Sequence, residues 1–235
     1  MRNRVTAAAL FTALLVAGCG GGGGGSPEGK ASGSAAPGSA SASGSASVAA
    51  PRESAAPLGE AQLKSAALTG GDVDGFQVTD FPVKPDGDST ARPADCQPLE
   101  NMRTASPDPG PQAFVGLLAY SGAGPTAGSA TTVGLMAYDQ SDAEGILEGL
   151  RTALKKCGAY EGGVPARTTA KAATAPDAGD EAVAFALQTQ RDSADAFVVV
   201  RTGATVVLFY TVSGTGSAAE VPKELITAQI RKLEA

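Results

Sequence analysis

Residues 206–212 read Val-Val-Leu-Phe-Tyr-Thr-Val, and this stretch decides the fold. Alternate side chains of a strand point to opposite faces of a sheet. One face of this strand carries Val206 and Leu208, while the other carries Val207 and Phe209. A strand that is apolar on both faces is usually central in its sheet and covered on both sides. The sequence therefore predicts a sheet with 206–212 in its interior.

Six further segments have the alternating or short apolar patterns that are typical of strands. They cover residues 76–79, 114–120, 131–138, 164–171, 182–190 and 196–202. Several of the connections are short, and the one at Thr202-Gly203 is tight enough for a hairpin. Short connections join antiparallel strands, so we expect a mostly antiparallel sheet of about 6–7 strands.

Two amphipathic helices are predicted beside the sheet. The first follows Ser141, and its apolar side consists of Ile146, Leu147, Leu150, Leu154 and Cys157. The second begins at Ser217, and its apolar stripe consists of Leu225, Ile226, Ile230 and Leu233. Both beginnings have the Ser-x-x-Glu spacing of a capping box, and a shorter helix is predicted over 58–68. The predicted fold class is α+β, with the two amphipathic helices packed on one face of the sheet.

The second face of the sheet is the one that carries Val207 and Phe209. Two alternatives remain open for it at this point. Loops such as 80–111 close the face, or the face is partly open and forms a groove for a ligand. Val207 and Phe209 are the candidate ligand-binding residues in the second case.

The N-terminus has the pattern of an export signal. Arg2 and Arg4 precede an apolar run over 5–16, which is too short to span a bilayer, since a spanning helix needs roughly 20 residues. The run ends in Leu15-Val16-Ala17-Gly18-Cys19, which resembles the lipobox of bacterial lipoproteins. That resemblance implies that Cys19 is lipidated and anchors the protein at the extracytoplasmic face of the cell membrane.

The segment that follows Cys19 is composed almost entirely of Gly, Ser, Ala and Pro. Such a composition buries too little apolar surface to offset chain entropy, so we expect a disordered tether. The chain is predicted to consist of a signal peptide (1–18), the lipidated cysteine with its tether (19–57) and one globular domain (58–235). The Ala- and Gly-rich composition is typical of high-GC actinobacteria.

Composition excludes several classes of function. The chain has no histidine and a net charge of −6. The lack of histidine excludes a Ser-His-Asp triad, a Cys-His pair and a histidine-containing zinc site. An acidic chain without a basic cluster argues against nucleic acid as a partner. We therefore expect a protein that is not an enzyme and that needs no cofactor.

Acidic residues lie close together in the sequence at three places, Asp72/Asp74, Asp86/Asp88 and Asp177/Asp180/Glu181. Calcium needs six or more oxygen ligands, and none of these places supplies the distal Glu of an EF-hand loop. We expect turn and cap residues here, and no metal site. Arg201 lies near a hairpin turn, where its stem can pack on the sheet, and an anion site is the less favoured alternative.

The domain contains two cysteines, Cys96 and Cys157. In an exported protein two cysteines most often form a disulfide. A reactive thiolate would need an activating group, and the sequence has no Cys-x-x-Cys motif. The pair is therefore predicted to form a structural disulfide.

Several segments of the domain resemble one family. They are Leu68-Thr-Gly-Gly-Asp-Val-Asp-Gly-Phe76, Pro93-Ala-Asp-Cys96, the Ser141 helix that ends at Cys157, Gly179-Asp-Glu-Ala182 and Val200-Arg-Thr-Gly-Ala-Thr-Val206. In this order they resemble the extracellular sensor domain of PknH-type serine/threonine kinases, which also occurs in free-standing actinobacterial lipoproteins.

This resemblance covers about residues 58–235 and implies an α/β domain with an antiparallel sheet, a disulfide and a cleft for an extracellular ligand. The chain differs from the kinases in having one candidate disulfide instead of two and in carrying no kinase domain. No ligand-binding residues transfer from the family.

The leading functional hypothesis is a membrane-anchored, non-enzymatic lipoprotein that binds a small apolar or envelope ligand, or a partner protein, through the sheet face. The alternatives are a structural or interaction lipoprotein without a ligand and, less favoured, an envelope hydrolase that uses carboxylates.

Overall fold

The computed structural model describes residues 56–82, 89–122, 124, 128–163, 166–190, 192–212 and 216–235. The predicted signal peptide, Cys19 and nearly all of the tether lie outside the described residues, as do Asp86 and Asp88. Among the described residues, none of the helices has the length and apolar character needed to cross a membrane.

Eight strands and four α-helices make up the described chain. The strands are β1 (Phe76–Asp80), β2 (Ala113–Ser121), β3 (Ala130–Ala137), β4 (Ala159–Gly162), β5 (Ala166–Ala173), β6 (Glu181–Thr189), β7 (Asp195–Thr202) and β8 (Thr205–Val212). The helices are α1 (Glu60–Ala66), α2 (Gln97–Arg103), α3 (Gln140–Lys156) and α4 (Lys223–Leu233), and a 3₁₀ turn at Ala94–Cys96 leads into α2.

The strands form one antiparallel sheet in the order β1-β2-β3-β8-β7-β6-β5-β4. The α+β class is confirmed, and β8 lies in the middle of the sheet as its two apolar faces predict. The sheet has eight strands where about 6–7 were expected. The additional strand is β4, whose four residues Ala-Tyr-Glu-Gly are too few to show a period.

Each face of the sheet has its own apolar core. Val206 and Leu208 of β8 pack into a core with α2 and α3, while Val207 and Phe209 pack into a core with α1 and α4. The prediction that both amphipathic helices pack on one face is therefore wrong, because α3 and α4 lie on opposite faces of the sheet. The physical reason lies in the central strands, since apolar side chains on both faces need a helix layer on each side.

Two helix beginnings differ from the capping-box prediction. Asp139 is the N-cap of α3, without a side-chain cap hydrogen bond, and α3 begins at Gln140. Pro222 is the N-cap of α4, so that helix begins at Lys223 and not at Ser217. Proline is favourable at a helix beginning because its missing N–H would have no partner there.

The helix α2 was not predicted from the sequence. It has only seven residues, and only Leu99 and Met102 form its buried apolar side. Two apolar residues three apart are too few to indicate a helix by periodicity. Its position next to α3 depends on tertiary contacts that are described below.

One buried side chain joins the two helices of the Val207/Phe209 face. Gln229 of α4 is fully buried. Its Oε1 accepts a hydrogen bond from the Leu68 N–H at 3.0 Å, and its Nε2 donates to the Ala66 carbonyl at 2.7 Å. Backbone groups at the end of a helix have no partner within the helix. Gln229 therefore satisfies the Ala66 carbonyl at the end of α1 and the Leu68 N–H just after it, and it fixes α1 against α4.

We predict that Gln229→Leu lowers the free energy of unfolding by about 2–4 kcal/mol, since it leaves two backbone groups without partners. Urea denaturation monitored by circular dichroism measures this change. Thr227→Leu, at an exposed position of the same helix, is the matched control and should stay within about 0.5 kcal/mol of wild type. Equal effects of the two substitutions would contradict the bridging role of Gln229.

Candidate functional site

The sheet face that carries Val207 and Phe209 is covered. Both side chains are fully buried, and they belong to the same core as Leu63 of α1 and Leu225 and Ile226 of α4. Helices α1 and α4 cover this face together with Ala67, Leu68 and Val73 of the segment between α1 and β1, which are buried in the same core. Val207 and Phe209 are thus core residues, and a ligand could reach them only by displacing a helix.

An accessible recess lies on the other side of the sheet, between α2 and α3. It begins as a slot of about 60 Å³ lined mainly by Pro98, Met102, Pro107, Ile146, Gly149 and Leu150. Gly145 and Gly149 add no side chains to the α3 wall beside Ile146 and Leu150, and a Cβ atom at Gly149 would lie 3.8 Å from Pro98. The slot is large enough for one small apolar group, because a water molecule in the liquid occupies about 30 Å³.

The slot continues into a wider hollow of about 470 Å³ under the segment 106–111. Asn101, Pro107 and Asp108 line both recesses and make them one groove. Gln97 shapes the hollow, because its amide accepts a hydrogen bond from the Ala91 N–H and donates to the Ser89 carbonyl and Asn101. We refer to the slot and the hollow together as the α2/α3 groove.

The disulfide between Cys96 and Cys157 fixes the position of α2. Their Cα atoms are 5.7 Å apart, and the bond joins the beginning of α2 to the end of α3. Both cysteines are buried, so the site offers no exposed thiol. Closing a loop of this length stabilises a fold by about 4 kcal/mol on the chain-entropy model. The bond holds the two walls of the groove at a fixed distance.

The buried carboxylate of Glu100 holds the second half of α2 through a hydrogen bond from Ser89, outside the helix. The Glu100 carboxylate is fully buried and accepts hydrogen bonds from Arg103 Nε at 2.8 Å and from the Ser89 hydroxyl. Burial would raise the pKa of Glu100, but the hydrogen bonds from Arg103 and Ser89 outweigh it, so its pKa lies below the usual range. A Cβ atom at Gly162 would lie 2.5 Å from this carboxylate, so only glycine fits there.

The groove is uncharged except for one carboxylate. Among the described residues that line it, Asp108 carries the only charge. No group of three or more metal-ligating side chains occurs in the described part of the chain. The groove can therefore accept a neutral or cationic group, and its polar atoms can fix the orientation of that group by hydrogen bonding.

The acidic residues near Arg201 form a structural network. Arg201 donates to Glu181 at 2.6 Å and to Asp180 at 3.0 Å, and Asp180 also accepts the Gly203 N–H. Gly179 has a positive φ of 61°, and a Cβ atom there would lie 2.5 Å from the Arg201 carbonyl. The Gly179–Ala182 and Val200–Val206 segments thus bind each other, and two carboxylates neutralise the charge of Arg201.

Asp72 also has a structural role. Its Oδ2 accepts hydrogen bonds from the Thr69 N–H at 2.6 Å and from Lys232 of α4 at 2.8 Å. The hydrogen bond from Lys232, with those from Thr69, lowers the pKa of Asp72 to about 2. The segment from Thr69 to Asp72 is a turn, as expected for Asp72, and the hydrogen bond from Lys232 joins this turn to α4.

Comparisons with known proteins agree with this fold. No protein-family model matches the chain, and no curated protein matches it. The extracellular domain of PknH from Mycobacterium tuberculosis aligns with 12% identity over 76% of this chain and 96% of that one, at a TM-score of 0.53. The two chains share a fold. An uncharacterized protein from Mycobacterium smegmatis aligns with 20% identity over 74% and 95%, at a TM-score of 0.41.

The groove was missed by sequence reasoning because its walls come from elements far apart in the chain. The signals available were Gly145 and Gly149, one turn apart in a predicted helix, and the Pro-rich segment 107–111. Neither signal shows that α2 lies between them.

We predict that Asp72→Asn destabilises the protein by about 0.5–1 kcal/mol at pH 7, the range for a solvent-exposed ion pair. The folded pKa of Asp72 is lower than the unfolded value of about 3.9, so its contribution is present above that value and is lost as the pH falls toward 2. The difference in free energy of unfolding between wild type and Asp72→Asn, measured by urea titrations, should disappear over the same pH interval.

The exposed neighbour Asp74 supplies the control. Asp74→Asn should leave the pH profile of stability unchanged. A constant gap between wild type and Asp72→Asn from pH 7 to pH 2 would show that the charge of Asp72 does not contribute.

Proposed function

We propose that this protein is a lipid-anchored, extracytoplasmic, non-enzymatic domain that binds an envelope ligand in the α2/α3 groove. The observation that carries the proposal is the groove itself, with a small apolar slot that opens into a polar hollow and walls fixed by a disulfide. The site replaces the sheet face proposed from the sequence, since helices cover that face.

The chemistry of the lining restricts the ligand. The slot accepts one small apolar group of the ligand. Asn101, Asp108 and Ser106 line the hollow, where they would contact a polar part of the same ligand. A single carboxylate without a cationic partner in the lining disfavours anions and accepts a neutral or cationic group. A neutral or cationic small molecule of the cell envelope with a short apolar branch fits these requirements.

Three observations support a binding role outside the cell. The segment 1–19 has the pattern of a lipoprotein signal, and Cys19 would carry the lipid. The buried Cys96–Cys157 disulfide suits an oxidising compartment. The solved domain with which the chain shares its fold is the extracellular part of PknH.

A structural or interaction lipoprotein without a ligand is the second candidate. The observation that favours it is the complete burial of the Val207/Phe209 core, which leaves the sheet itself without an apolar ligand site on that face. The two candidates differ in whether a small molecule occupies the groove.

Lipid anchoring is tested with Cys19→Ser in the native host. We expect wild-type protein in the membrane fraction and labelled after growth with radioactive palmitate, and we expect the variant to lose the label. Ser26→Ala, in the tether, is the control and should behave as wild type. Palmitate labelling of Cys19→Ser would contradict anchoring at this residue.

Groove occupancy is tested with Gly149→Leu, because a leucine there fills the slot without charge change. Native mass spectrometry of full chain purified from the membranes of its host should show a small-molecule adduct on wild type and loss of that adduct on the variant. Lys155→Leu, at an exposed position near the end of α3, is the matched control and should keep the adduct.

The two substitutions also separate binding from folding. Leucine exceeds glycine in helix propensity by about 0.8 kcal/mol, so Gly149→Leu should fold with a melting temperature near that of wild type. An adduct retained on Gly149→Leu would place the ligand elsewhere. A bare wild-type protein would favour the structural candidate.

A further inference from the structure

The two edges of the sheet differ in whether another backbone segment pairs with the edge strand. At the β4 edge, Arg92 closes the strand, because its N–H donates to the Glu161 carbonyl at 2.7 Å and its carbonyl accepts the Glu161 N–H at 2.9 Å. At the other edge, β1 pairs with β2 alone. Among the described residues, none forms a comparable bridge on the outer side of β1. An uncovered strand edge is a template for another strand.

The register of β1 identifies the groups that face outward. The Phe81 N–H donates to the Gly116 carbonyl, so Phe81 and the alternate residues Thr79 and Gln77 direct their backbone groups toward β2. Val78 and Asp80 therefore direct their N–H and carbonyl groups outward. The Phe76 N–H donates to the Val73 carbonyl at 3.2 Å, which leaves the Phe76 carbonyl for a partner.

The outward backbone groups of two β1 strands match each other when the strands run antiparallel and Val78 of one lies opposite Val78 of the other. In an antiparallel pair of two β1 strands, the Val78 N–H donates to the carbonyl of the partner's Val78, and the Asp80 N–H donates to the carbonyl of the partner's Phe76. Two-fold symmetry doubles these bonds and gives four between the strands. Gln77 then lies opposite the partner's Thr79, and no two like charges face each other.

We propose that β1 is the interface of a homodimer, in which two sheets join edge to edge into one continuous sheet. A second copy of this chain is the occupant that the structure favours over a strand of another protein. The reason is the position of the chain that precedes the described residues.

The tether leaves the domain close to this edge. The described chain begins at Ala56, just before α1, and α1 packs on β2 and β3, the strands next to β1. The two-fold axis of an antiparallel strand pair is perpendicular to the sheet, so both copies place α1 on the same side. Both copies therefore begin their described chain on one side of the sheet, from which two anchors can reach one membrane, an argument that rests on the proposed lipid anchor.

Cysteine cross-linking of full chain in the membranes of its host tests the interface. Opposed residues of a hydrogen-bonded strand pair have Cα atoms about 5.5 Å apart, which is within disulfide range. Val78→Cys should form a covalent dimer of twice the chain mass under a mild oxidant. Glu161→Cys, an exposed position on the closed β4 edge, should stay at the wild-type level.

Val78→Pro provides the second measurement. The Val78 N–H points away from β2, so proline there removes no bond within the sheet, and edge strands tolerate it. In sedimentation of the detergent-solubilised chain, wild type should be a dimer and Val78→Pro a folded monomer with the circular dichroism spectrum of wild type.

Three outcomes would overturn the proposal. These are equal cross-linking of Val78→Cys and Glu161→Cys, a dimer that persists in Val78→Pro, and a Val78→Cys product whose mass corresponds to a different protein. A failure of the lipid anchor is distinguishable, because the chain would then leave the membrane fraction while Val78→Cys still dimerises in solution.

Discussion

The structure depends on covering both faces of the central strand β8. Val206, Val207, Leu208 and Phe209 are all buried, and each buried side chain of this size contributes about 1.5–3 kcal/mol. Because side chains alternate along the strand, two of these residues lie on each face of the sheet. Removing either helix layer would therefore expose two apolar side chains of β8 to water. The three layers, with α2 and α3 on one side and α1 and α4 on the other, follow from this constraint.

The two helix layers are held by different chemistry. On the Val207/Phe209 side, an amide of α4 satisfies the backbone at the end of α1, and the layer is closed. On the other side, the Cys96–Cys157 disulfide and the hydrogen bond from Ser89 to the buried Glu100 carboxylate hold the short helix α2. A helix of seven residues is not stable alone, so these fixed points are needed to keep α2 beside α3. The groove exists because glycines on α3 leave space between the two.

The polar motifs of the domain serve the fold and leave the groove nearly neutral. Arg201 is neutralised by Asp180 and Glu181, Asp72 by Lys232, and Glu100 by Arg103. With these charges paired, the ligand recognition that we propose for the groove depends on shape, hydrogen bonding and the carboxylate of Asp108. At the β1 edge, backbone groups remain available to a partner, so the proposed small-molecule site and the proposed dimer interface use separate surfaces.

The sequence by itself determined the α+β class, seven of the eight strands, the central place of β8 and the pairing of Cys96 with Cys157 as a prediction. Each of these depends on local periodicity or on residue type, which can be read without knowledge of the packing. The sequence did not determine α2 and β4, because seven and four residues show too little pattern. It also misplaced the helices on one face, since the period of a helix shows which side is apolar but not which face of a sheet it meets. The tertiary structure decided the groove, because its walls are α2, α3 and the segment 106–111, and only the disulfide and the fold bring them together.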